Sequence, residues 1–166
     1  SIVNLSTGTY EGRSIAAAAV AAHEIGHVMQ NKEGYGPYRL RTALVPVVNF
    51  GSRLAMPLVL IGILLDSYVR TANPDTGFTV AMIGVVLYGS SFLFSLVTLP
   101  VELDASRRAG NMLVAAGVIA EDELPAAKKV LSAAALTYLA SLLTSFVYFL
   151  RFLVYVLSVF GKRDRR

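Results

Sequence analysis

Apolar residues in this chain fall into three long runs separated by short polar segments. The first covers roughly 54–69, or more if it begins near Leu44, with Pro46 and Pro57 expected to bend or start it. The second, 78–99, contains no charged residue, and the third begins after Lys129 and ends at Phe160, interrupted only by Arg151. A helix crosses a bilayer core with about 20 apolar residues, so each run spans or nearly spans one. The segment from Asp66 to Gly77 is polar and turn-rich, which predicts a helical hairpin from the first two runs. Ahead of them, 14–30 reads SIAAAAVAAHEIGHVMQ, an alanine-rich stretch without proline, with Ser14 placed to cap a helix. Ile2 to Ser6 alternates apolar and polar residues before Gly8 and Gly12, which fits either an edge strand that pairs with an extended substrate or a frayed terminus. No internal repeat or low-complexity tract is present, and the opening SIVNLSTGTYEGR is not a secretion signal.

Composition turns these runs into a membrane protein: 55% of the 166 residues are hydrophobic, 16% are charged and the mean hydropathy is +0.59. The net charge of +4 comes from basic residues beside the apolar runs, not from a stripe with stacking aromatics. Anionic lipid headgroups are therefore the expected counterions, and nucleic acid is not. With no cysteine there is no disulfide framework, thiolate metal site or thiol nucleophile, so any metal must be held by His, Asp or Glu. The expected architecture is mainly all-α and integral to the membrane. A single domain over 1–166 would comprise a histidine-bearing region (1–53), a transmembrane hairpin (54–99), a third-ligand region (100–129), an apolar C-terminal helix (130–160) and a basic tail (161–166).

The two histidines are His23 and His27, in AAHEIGH. At i and i+4 on a helix both rings point to one face, as two corners of a tetrahedral zinc site do. Glu24 completes H-E-x-x-H, the spacing in which the carboxylate acts as general base on a water held by the metal. The bland alternative is a chance pattern, but these three are the only strongly polar side chains between Ser14 and Gln30 and would be costly to bury without partners. A hairpin returns the segment after Leu99 to the side of the bilayer occupied by 1–53. Proline at 100 is expected to open a new helix with Glu102 in its first turn, where Glu102 can reach the zinc. The helix macrodipole alone would also favour an acid there. Asp104 is the serious competitor, and Glu11, Glu33, Glu121, Asp122 and Glu123 are weaker rivals, the last three reading as a solvated helix start.

Four segments carry a family resemblance: LSTGTYEGRSIAAAAVAAHEIGHVMQ, YGPYRLRTALVPVVNFGSRLAMPLVLIGILL, LPVELDASRRA and AAKKVLSAAALTYLASLL. With these the chain resembles the YugP-like membrane-bound neutral zinc metallopeptidases over most of its length. It is more distantly similar to the HtpX and Ste24-type membrane proteases, which also place a membrane hairpin between H-E-x-x-H and a glutamate ligand. The resemblance implies a zinc peptidase with His23, His27 and Glu102 as ligands and Glu24 as general base. The HtpX-like group commonly has aspartate four residues after the ligand glutamate. Here that position is Ser106, as the YugP-like pattern accepts, so Asp104 and Ser106 are the candidates for orienting a histidine. Members of the family usually carry an N-terminal membrane helix ahead of the segment that opens here, so the chain beginning at Ser1 is expected to be a processed product, a trimmed form or only the ordered part of a longer protein.

The expected function is a zinc-dependent membrane endopeptidase. Its oxyanion donor besides zinc is Tyr35, Tyr138, Arg107 or Arg108, with no basis for choosing among them. Its partners would be a peptide or protein substrate and the lipid bilayer, with room for membrane-protein partners or an oligomer. Basic residues gather on the catalytic side (Arg13, Lys32, Arg39, Arg41, Arg53, Arg107, Arg108, Lys128, Lys129) against Arg70 in the hairpin loop. This predicts a bacterial cytoplasmic membrane with the site facing the cytoplasm. The basic tail conflicts with a single full span from Val130 unless the start of that run, VLSAAALTYLAS, packs in the catalytic body. The alternative function is a non-catalytic zinc-binding subunit that docks through small residues such as 133–135 and serves as a scaffold in a larger membrane complex. The intact H-E-x-x-H argues for catalysis, and an ion path is disfavoured by the shortage of charges within the spans.

Overall fold

The computed structural model describes residues 2–69 and 75–161, so Arg70 and the basic cluster 162–166 lie outside the described residues. Among the described residues there are five α-helices and no strand: α1 (Thr7–Tyr10), α2 (Ile15–Glu33), α3 (Gly36–Tyr68), α4 (Thr76–Ala115) and α5 (Leu124–Gly161), with a 3-10 turn at Glu121–Glu123 before α5. Residues 2–6 do not form the edge strand that their alternation allowed. Ser6 instead begins α1, its side chain accepting the Thr9 amide, and Ile2 is exposed.

Helix α2 starts and stops where its sequence says it should. The Ser14 hydroxyl accepts the Ala17 amide at 3.2 Å, and Gly34, at φ 68°, takes the left-handed conformation that closes the C-terminus. The three apolar helices are longer than their hydrophobic runs, and each is long and apolar enough to cross a membrane. Pro46 and Pro57 lie inside α3 and Pro100 inside α4. The new helix expected at Pro100 is therefore not opened. A proline removes one backbone donor and crowds the preceding turn, but in an apolar setting the remaining amides have no better partner than the helix itself. Glu102 consequently sits within α4 and is 1% exposed, so a first-turn macrodipole does not account for it.

The chain forms two compact units. One comprises Ser1–Thr42 with Val97–Ala140, and the other Ala43–Leu96 with Ser141–Arg166. In the first, Ala19 and Ala22 of α2, Ala109 and Leu113 of α4, Ile119, and Ala127 and Leu131 of α5 form the core. The start of the third apolar run thus packs in the unit that contains α2. In the second, Val59, Ala81, Val85, Val156 and Phe160 form the core. There α3 and α4 make the hairpin, and a Cβ on Gly62 would fall 2.5 Å from the Gly77 carbonyl oxygen.

Candidate metal centre

The site is built by a close approach of α2 to α4 within the first unit. Ala19, Ala22, Ala105 and Ala109 are buried, and Gly26, the fourth residue of HEIGH, lies directly against Ala105. A Cβ on Gly26 would fall 2.7 Å from the Ala105 carbonyl oxygen, so only glycine permits this contact. With the helices this close, the α2 face bearing His23 and His27 meets the turn of α4 bearing Glu102 and Ser106.

Three side chains converge there. Glu102 Oε2 lies 3.0 Å from His23 Nε2 and 3.5 Å from His27 Nε2, and the potential ligand atoms of the three residues lie within 4.8 Å of one another. The other Glu102 oxygen, Oε1, is buried without a hydrogen bond. Arg41 Nη1 approaches it at 3.3 Å, close enough for charge attraction but without hydrogen-bond alignment. A buried carboxylate oxygen left in this state is costly unless a cation is to be held there. Two imidazoles and a carboxylate are also a donor set that zinc accepts, leaving a position open.

The outer edges of the rings are held as well. His27 Nδ1 is 2.9 Å from Gln30 Oε1, while Gln30 Nε2 donates to the Val101 carbonyl at 2.8 Å and to Asp104 Oδ2 at 3.0 Å. Because both amide protons of Gln30 have acceptors, its oxygen must face His27. That oxygen can only accept, so Nδ1 carries the proton and the neutral ring offers its Nε2 lone pair to the centre. Asp104 also accepts from Arg107 and Arg108, and Arg108 continues to Glu33. The competitor for the third ligand is thus engaged with an amide and two guanidinium groups. Ser106 Oγ lies 3.2 Å from His23 Nδ1. Burial works against a charge on His27, but hydrogen bonds to Glu102 and Gln30 and the Glu102 charge outweigh it, and the His27 pKa is raised.

The convergence point opens into a cleft of about 460 Å³ lined by Glu24, Tyr38, Arg41, Glu102, Tyr138 and the two histidines, with apolar walls from Val20 and Val130. Glu24 is exposed. Of the expected oxyanion donors, Tyr138 lines this cleft; Tyr35, Arg107 and Arg108 do not. The Arg108 guanidinium lies over the Tyr35 ring, 5.8 Å from its centroid, and Arg107 points largely to solvent.

Residues 1–157 match the family described as "Putative neutral zinc metallopeptidase". The chain belongs to this family. It is 43% identical over 157 residues to a protein of Bacillus subtilis (strain 168) named "Putative membrane protease YugP". The match covers 95% of this chain and 65% of that protein, so the chain spans a little under two thirds of its relative's length. No solved structure matches the chain.

Two residues at this candidate centre carry no mark in the sequence motifs. Gln30 had a usable signal, since positions 23, 27 and 30 follow the i, i+4, i+7 spacing of a single helix face. Arg41 had none, because it lies on α3 beyond the Gly34 turn and belongs to no motif.

Proposed function

We propose that the chain is a zinc-dependent membrane endopeptidase whose metal is held by His23, His27 and Glu102 and whose general base is Glu24. The observation that carries this reading is the convergence of those three side chains in a cleft that Glu24 also lines. When bound, zinc supplies Lewis-acid polarisation of the scissile carbonyl and of the attacking water. Glu24, exposed at the cleft, takes the proton of that water on its carboxylate and delivers it to the leaving amine. Tyr138 is assigned as the protein's donor to the developing oxyanion, because it is the one expected donor at the cleft wall.

Gln30 and Asp104 act by position. Asp104 holds the Gln30 amide, and Gln30 holds the His27 ring with its Nε2 turned inward. Ser106 does the same for His23 through its contact with Nδ1. Arg41 offsets part of the Glu102 charge. Apart from Arg53, which lies inside the apolar stretch of α3, the excess of Lys and Arg on the catalytic side supports a cleft facing the cytoplasm of a bacterial cell.

The test compares native protein with Glu24→Gln in detergent, measuring bound zinc and cleavage of a membrane-protein mixture by mass spectrometry of new termini. Peptidase action predicts zinc in both and new termini only with the native protein. Zinc in both with no new termini from either would favour the scaffold reading.

A further inference from the structure

The second unit carries cations that the peptidase reading does not use. Arg151 lines a recess of about 360 Å³ together with Ser52, Met56, Tyr88, Tyr148 and Tyr155. Its level along the spans follows from neighbouring contacts. Phe160 of α5 packs on Phe78, which opens the second apolar run, with ring centroids 5.4 Å apart. Arg151 lies about 14 Å back along α5 from that contact, at roughly 1.5 Å per residue. Gly62 of α3 packs against Gly77 at the same end of the hairpin, and Arg53, next to Ser52, lies about 14 Å back along α3. The backbone of both arginines therefore lies near the middle of a hydrocarbon layer of about 30 Å.

This level is not a headgroup boundary, because exposed apolar side chains continue to both sides of it. Leu143, Phe146 and Val147 lie to one side and Leu60, Ile61 and Leu64 to the other. Among the described residues no carboxylate pairs with Arg151 or Arg53. A second copy of the spans has none to offer at this depth: α5 has no acid, the first acid of α4 is Glu102, and that of α3 is Asp66 near its end. An arginine in hydrocarbon is rare without a partner.

We propose that this ledge is a docking surface for a membrane-spanning helix of a partner protein that carries one carboxylate near mid-bilayer. Arg151 supplies the charge, the tyrosine hydroxyls beside it can donate to the second carboxylate oxygen, and Met56 and Phe152 supply apolar contact. The surface uses no residue of the cleft, so it stands or falls separately from the peptidase reading.

The test places the full chain in zwitterionic lipid vesicles with a fluorescent probe helix of about 20 apolar residues, carrying a central Glu or, in the control, Gln. Energy transfer should report association about tenfold tighter for the Glu probe. Arg151→Met should bring the Glu probe to the level of the Gln probe, while Arg151→Lys keeps part of the difference and so rules out misfolding as the cause. Equal association of the two probes with the native chain would overturn the proposal. So would a native chain indifferent to the Glu probe that enriches spin-labelled phosphatidylglycerol and loses that enrichment in Arg151→Met, since the ledge would then be a lipid-headgroup site.

Discussion

The two units bury different kinds of residue. In the hairpin unit every fully buried position among the described residues is Gly, Ala, Val or Phe. The other unit has the same small-residue helix contacts but buries Gln30, Thr98, Glu102 and Asp104 as well. Gln30, 0% exposed, has every amide proton and its oxygen matched, whereas Glu102 keeps an oxygen without a hydrogen bond. The contrast teaches where to look for chemistry in an apolar protein. Close packing needs only small residues, while a buried carboxylate beside two imidazoles has no packing purpose.

The largest test of that contrast is Glu24→Gln, which should lower turnover about 10²–10⁴-fold with bound zinc unchanged, as read by cleavage rate and metal analysis on the same sample. Next comes Gln30→Ala. It breaks the link from Asp104 to His27 and should weaken zinc binding about 10–100-fold, measured by competition with a chelator; an unchanged affinity would reduce Gln30 to packing. The glycines set one unit against the other. Gly26→Ala and Gly62→Ala should each cost about 1–3 kcal/mol of stability from overpacking in denaturant titrations in detergent. Only Gly26→Ala should also weaken zinc binding, because the backbone it displaces carries the histidines. Ser106→Ala should have the smallest effect, no more than about tenfold in zinc affinity, since its contact with His23 is the longer of the two ring contacts at 3.2 Å.

Much of this architecture was legible in the residues. Ser14 and the alanine run marked α2, the polar break between 66 and 77 marked the hairpin, and hydropathy marked the three helices long and apolar enough to cross a membrane. Pro100 misled, because a proline that reads as a helix start in water lies within α4 here, as Pro46 and Pro57 lie within α3. At the site, the i, i+4 pair was visible because its partners are local in sequence. Arg41 and the Asp104–Gln30 link were not, because they depend on helices brought together by tertiary packing at Gly26. Asp104 illustrates the limit: its type and position suit a ligand, and only its neighbours Gln30, Arg107 and Arg108 reveal where its oxygens are engaged.

The most direct measurement is the zinc content of detergent-purified native protein and of Glu102→Gln, with Asp104→Asn alongside. A centre formed by His23, His27 and Glu102 predicts about one zinc per chain in the native protein, a near-complete loss in Glu102→Gln, and a weakened but measurable site in Asp104→Asn. Zinc retained in Glu102→Gln and lost in Asp104→Asn would contradict the account and make Asp104 the ligand.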